Sequence, residues 1–280
     1  MSPFILTAVL LAALLHAIWN ALIKVSGDRL VVMAVTAFST SLLALPFVFL
    51  LPAPERASWP FLFLSMCIHT TYMTMLVRAY GHGDFVQIYP LARGSAPLLT
   101  ALLGFLLLQE SLSSNEMAGM ALIVASILGF AGERIGGIRQ LTGAALGYSL
   151  LTGLCITGYS LVDGQGARLA ANSHSYTAWM FLLHGMLFPL VAWLRRRGQL
   201  FSSARRVWKP GLAVAIISAL AYWIVIWAFS QERIAPVAVL RETSVAFAAV
   251  ISAFIIKEKL TRMRVLLILL IIAGIVLLAG

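Results

Sequence analysis

The sequence predicts an all-α polytopic membrane protein: ten transmembrane helices built as two inverted five-helix repeats. Three observations carry this reading. First, 61% of the 280 residues are hydrophobic and only 11% are charged, against about 25% charged in a soluble domain. That excludes a soluble globule, and the apolar content excludes disorder. Second, the chain resolves into ten apolar runs, each near the ~20 residues that cross ~30 Å of hydrocarbon. Third, segment 84–132 aligns without gaps on 232–280.

The runs are 4–24, 30–51, 59–80, 86–108, 115–132, 142–162, 175–194, 209–229, 235–256 and 263–280. Polar or helix-breaking connectors separate them, among them Ser26-Gly27-Asp28-Arg29, Pro52-Ala53-Pro54-Glu55-Arg56, Gly81-His82-Gly83-Asp84 and Arg195-Arg196-Arg197-Gly198. No linker is long enough to hold an extramembrane domain. The first run lacks a basic n-region and a small-residue cleavage site, so it reads as a span and not as a signal peptide. Cys67 and Cys155 lie inside apolar runs, which leaves no disulfide framework and no cysteine metal site.

Basic residues fix the expected sidedness. The odd connectors hold Lys24, Arg29, Arg78, Arg134, Arg139, a cluster of six between Arg195 and Lys209, and Lys257, Lys259, Arg262 and Arg264. The even ones hold Arg56, Arg168 and Arg233. Cytoplasmic loops carry the excess of Lys and Arg, which places the odd connectors in the cytoplasm and both termini in the periplasm. The formal net charge of +10 therefore speaks of topology and anionic lipid, not of nucleic acid.

The internal match sets Arg93 on Arg241, Ser95 on Thr243, Glu110 on Glu258 and Leu112 on Leu260. Its spacing divides the chain into units 1–137 and 138–280 of five spans each. Five is odd, so the second unit must sit upside down relative to the first. The basic connectors agree, since they share one side only if the units are inverted. Inverted repeats are a frequent build for secondary transporters, with the substrate held at the midplane between them.

The two stretches that end each unit, GFLLLQESLS at 104–113 and AFIIKEKLT at 253–261, carry a family resemblance. With ten short spans in two halves, the whole chain resembles the EamA family of the drug/metabolite transporter superfamily. The resemblance implies an inner-membrane carrier for small metabolites, often an exporter of amino acids or related polar compounds. It implies binding in a central cavity between the halves.

Arg93 stands seven residues into span four, and Arg241 stands six residues into span nine beside Glu242. A charge near the bilayer centre costs about 2.5–3.5 kcal/mol even on lenient scales, so it must face water, a partner or the bundle interior. At ~1.5 Å per residue both guanidiniums come close to the midplane from opposite faces. One reading is a fork-shaped receiver for carboxylate, phosphate or phosphonate. The other is an internal salt bridge, with Arg241 or Arg93 paired to Glu242. Pro90 and Pro97 are expected to interrupt span four, and Pro236 to loosen the start of span nine. Further candidates for the substrate path are His16, Trp19 and Asn20 in span one, Tyr72 and Arg78 in span three, Tyr89 in span four and Tyr222 in span eight. Asp163 reads as the solvated outer end of span six. Glu110 and Glu258 read as helix caps partnered by Lys257 and Lys259. His184 reads as structural.

Enzyme motifs fail on inspection. Gly81-His82-Gly83-Asp84 lacks the Tyr-Asp partner of intramembrane aspartyl proteases, and Asp163-Gly164-Gln165-Gly166-Ala167-Arg168 lacks the downstream acids of alcohol phosphotransferases. With no HExxH and no phosphate loop, no catalytic residue, metal or cofactor is expected. The expected partners are an anionic or zwitterionic small molecule and the bilayer, and ten spans suffice for a monomeric carrier. The rival reading is an intramembrane enzyme or lipid-handling protein.

Overall fold

The structure is a computed structural model. It describes the backbone of residues 1–25, 28–82, 85–134, 143–197, 199–255 and 261–280, and most of their side chains. Lys257, Glu258 and Lys259, Asp84 and the side chain of Tyr89 lie outside the described residues.

The described elements are all helical: α1 (Pro3–Val25), α2 (Arg29–Leu50), α3 (Trp59–His82), α4 (Phe85–Leu108), α5 (Ser114–Arg134), α6 (Gly143–Leu169), α7 (Ser173–Arg196), α8 (Gln199–Gln231), α9 (Ile234–Glu242), α10 (Ser244–Ile255) and α11 (Arg262–Ala279), with a 3-10 turn at Arg56–Ser58. Seven stretches of the described chain are long and apolar enough to cross a membrane. Helix starts follow from capping side chains, whose oxygens take up the orphan N–H groups of a first turn. Asp28 accepts from Val31 N, Asn172 from His174 N and Ser175 N, and Thr261 from Arg264 N.

Four boundaries depart from the hydropathy reading. α6 continues to Leu169, so Asp163 is inside the helix and fully buried; the expected solvated end is wrong. Glycine explains it: a Cβ at Gly164 would collide with Ile234, and one at Gly166 with Tyr176. The polar-looking Asp-Gly-Gln-Gly stretch is thus a close-packing face. α8 begins at Gln199, so Arg205, Arg206 and Lys209 ride on a helical extension and not in a loop. α4 runs unbroken through Pro90 and Pro97. Span nine breaks instead, after Glu242, where the Thr243 hydroxyl bonds Leu240 O at 2.6 Å. A hydroxyl that occupies a backbone carbonyl competes with the helical ladder. Pro236 sits in the first turn of α9, where no intrahelical donor is needed.

Packing has the symmetry of the sequence repeat. α1 lies on α8 and α3 on α6, pairs that the repeat exchanges, while α2 packs on its own counterpart α7 and α5 on α11. The last pair meets at glycines: a Cβ on Gly119 would fall 2.6 Å from Gly274 O. Such small-residue contacts let helices approach without a hydrophobic driving force.

The described connectors sort onto two faces. On one, Ser175 Oγ donates to Pro52 O at 2.7 Å, Arg168 reaches Glu110 at 3.0 Å and Glu232 O at 2.7 Å, and Arg233 holds Glu116 and Ser111 O. The chain start is there too, with Ser2 N 3.3 Å from Glu232 Oε1. On the opposite face Arg196 meets Asp28 at 2.7 Å. α1 leaves the first face and α6, its repeat counterpart, arrives at it, so the two run in opposite directions.

Candidate functional site

Between the two sets of helices lies a hollow of about 120 Å³. α1 supplies His16 and Trp19 to its wall, α3 His69 and Tyr72, and α4 Arg93. α6 adds Tyr159, α7 Met180, Phe181 and His184, and α8 Tyr222. A larger, apolar hollow of about 450 Å³ adjoins it, lined by Leu43, Phe47, Leu51, His174 and Trp223. The two share Thr40, Phe181 and Ala219, so these residues stand between them. Leu51 ends α2 and His174 begins α7, which puts the larger hollow toward the face holding Pro52 and Arg168.

Arg93 and Arg241 do converge, from α4 and α9, but not as an open fork. Glu242 lies between them. Arg93 Nη1 donates to Glu242 Oε2 at 2.9 Å and to Ser244 Oγ at 3.2 Å. Arg241 Nε and Nη2 approach Oε1 of the same carboxylate at 3.1 and 3.0 Å. All three are buried, with 3%, 1% and 1% exposure for Arg93, Arg241 and Glu242. Two cations so close repel in a medium of low dielectric, and an intervening carboxylate offsets that cost. The break after Glu242 brings Ser244 within reach of Arg93. Only Arg93 of the three reaches the cavity wall; Arg241 lies behind it, 5.7 Å from the Tyr159 ring centre.

A second polar cluster was missed at the sequence level. Asp163 Oδ1 accepts from Tyr176 Oη at 3.1 Å, and Oδ2 from Tyr222 Oη at 2.6 Å. His69 Nε2 stands 3.1 Å from the same Oδ2. His69 stacks on Tyr159 at 4.2 Å and lies 5.3 Å from the His184 ring. The signal in the sequence was the i, i+4 pair Tyr159 and Asp163, which share a helix face.

Of the remaining expected residues, His16, Trp19, Tyr72 and Tyr222 line the cavity. The Trp19 indole donates to His16 Nδ1 at 2.8 Å, which orients both rings. Asn20 is not part of the described lining; its amide donates to His16 O at 2.6 Å within α1, the cheapest acceptor available to a polar side chain in an apolar bundle. Arg78 is exposed at the end of α3, away from the cavity. Tyr89 lies outside the described side chains. His184, read as structural, is on the wall. Glu110 is a cap, but for another helix: it accepts from Ile234 N at 3.0 Å and Ala235 N at 3.4 Å, at the start of α9. Its charged partner is Arg168. Among the described residues, no three His, Cys, Asp or Glu are grouped to hold a metal ion.

Comparison with known proteins agrees with this architecture. No curated protein matches the chain. Among solved structures, one described only as "Crystal structure of protein" superposes with a TM-score of 0.74 over 98% of this chain and 94% of its own. At 16% identity that likeness concerns the fold alone. The EamA-like transporter family matches twice, over residues 3–132 and 143–280. The chain therefore belongs to the EamA-like transporter family, a family of multi-pass membrane transporters.

Proposed function

We propose that the protein is a secondary carrier moving a small anionic or zwitterionic metabolite through the cavity between units 1–137 and 138–280 by alternating access. Ten spans form one carrier in the inner membrane, with α9 and α10 together making the ninth. The face holding the termini is periplasmic, because the opposite face bears the Arg195–Lys209 cluster.

One observation carries the substrate class. Among the described lining residues, Arg93 is the only one with a fixed positive charge, in a wall otherwise built of aromatic, methionine, histidine, small aliphatic and hydroxyl side chains. A carboxylate directed at Arg93 with an apolar body against Tyr72, Tyr159 and Phe181 fits that chemistry, as ligand sites pair apolar walls with few directing polar groups. The hollow is small beside the usual 300–1,000 Å³ of ligand pockets. Joined across Phe181 to its larger neighbour, it reaches that range.

The test is flux in reconstituted vesicles of two probes that share one apolar body, leucine and 4-methyl-2-oxopentanoate. A hydrogen bond to a charged group is worth about 1.5–3 kcal/mol. Arg93→Gln is therefore expected to weaken uptake of either probe roughly 10- to 100-fold. Unaltered flux in that variant, or no flux of either probe in the unaltered protein, refutes this reading.

A further inference from the structure

The carrier reading leaves one buried group unused: the His69–Asp163 pair. Around the cavity, the described residues with fixed charge and 3% exposure or less are Arg93, Arg241, Glu242 and Asp163. Two cations and two anions sum to zero while the histidines are neutral. An anionic substrate entering this set would leave one negative charge uncompensated in a medium where an unpaired ion costs several kcal/mol. A zwitterion of the same shape would not.

Among the described residues, only one histidine on the wall is placed to supply the missing charge. His16 Nδ1 already accepts from the Trp19 indole, so a proton added there breaks that bond. His184 has no carboxylate beside it. His69 has Asp163 at 3.1 Å, and the carboxylate is fixed from its other sides by Tyr176 and Tyr222. With Nε2–H directed at Asp163, His69 Nδ1 is the position that gains or loses a proton, and the resulting imidazolium rests against a carboxylate held in place.

The surroundings are compatible. From α3, Tyr72 shares the wall with His69, and from α9, Arg241 reaches only as far as the Tyr159 ring. From α4, Arg93 faces the cavity and shares the Glu242 carboxylate with Arg241. From α7 come Tyr176 and His184, and from α8 Tyr222. The 3-10 turn brings only the exposed Arg56.

We propose that His69, held by Asp163, takes up one proton with each anionic substrate, so that anion and proton cross together while a zwitterion crosses without one. The step balances: a proton leaves water on the loading side, an N–H bond forms at Nδ1, and the same bond breaks on release at the other side. No electrons move. The proposal rests on the carrier reading and deepens it.

The experiment is titration calorimetry on the purified full-length protein at pH 7.5, in two buffers of different ionisation enthalpy. Their difference counts protons taken up on binding. The probes are 4-methyl-2-oxopentanoate and leucine. About one proton per 4-methyl-2-oxopentanoate and none per leucine is expected. In Asp163→Asn, which keeps the shape but removes the negative charge, the count for the anion falls to about zero; His69→Gln also abolishes it. Retention of the count in either variant, each checked for folding by its melting temperature, overturns the assignment to His69 held by Asp163. Binding of the anion with no proton in the unaltered protein, or one proton with both probes, overturns the proposal and leaves the carrier reading standing. Binding of neither probe overturns the substrate reading and this inference with it.

Discussion

Replacing Glu242 by Gln tests whether the buried triad holds the halves together. The carboxylate meets Arg93 at 2.9 Å and Arg241 at 3.0 Å, and its side chain is 1% exposed. Gln keeps one acceptor oxygen but turns an amide donor toward the second guanidinium. One pair is then lost outright and two like charges remain without compensation. Breaking a buried pair from one side costs about 3–5 kcal/mol. For chains of 150–250 residues, 1 kcal/mol corresponds to about 2–4 °C, so this somewhat larger chain should lose on the order of 10 °C. The assay is thermal unfolding in one detergent at one heating rate, since unfolding of such proteins is under kinetic control. Arg241→Met is the comparison: it leaves Arg93 and Glu242 as a one-to-one pair and should cost less than Glu242→Gln. A Glu242→Gln protein melting within about 2 °C of the unaltered one refutes the reasoning, as does a reversed order of the two variants.

Other consequences are testable in the same preparation. Glu110→Gln removes the charge that caps α9 and holds Arg168, a pair whose side chains are 6% and 29% exposed; at about 1 kcal/mol for a cap and about 1 for the pair, melting should fall by a few degrees. Gly119→Val drives a side chain onto the Gly274 carbonyl and should destabilise by about 1–3 kcal/mol, read as a lowered melting point with intact expression. Asp28→Asn breaks an ion pair whose partners are 37% and 43% exposed; stability should change by less than about 1 kcal/mol, and less still at high salt. Single cysteines in a Cys67- and Cys155-free background test sidedness. A cysteine at Ser173 should react with an impermeant maleimide on intact spheroplasts, and one at Arg196 only after permeabilisation.

Much of the architecture was legible because hydrocarbon is an undemanding reader: twenty apolar residues cross it, and basic residues collect on one side. The repeat was equally visible, since Arg93 and Arg241 break the apolar pattern at matching positions. Their shared partner was legible as one of two readings, and the geometry supports the ion pair over the open fork. What failed were positions where packing overrides polarity. Asp163 looked like a helix end because the apolar run stops at 162, yet the glycines that follow it let Tyr176 and Ile234 approach. The break at Thr243 falls inside an apolar stretch and leaves no trace in the hydropathy pattern. The settings of His184, on the cavity wall, and Asn20, bonded back to His16 O, were hidden for a related reason: depth can be read from the sequence, but the direction a side chain faces depends on neighbouring helices.

The placement of Glu242 also bears on how the chain is made. Ile234–Ile251 carries Arg241 and Glu242 side by side, and 67% of it is buried among other helices. Leaving the translocon alone, this piece would expose both charges to lipid at a penalty of several kcal/mol. Part of the relief is local, since Arg241 meets Glu242 at 3.0 Å within the same segment. Arg93, synthesised 149 positions earlier, brings the second guanidinium to that carboxylate and ties the late segment to the first half.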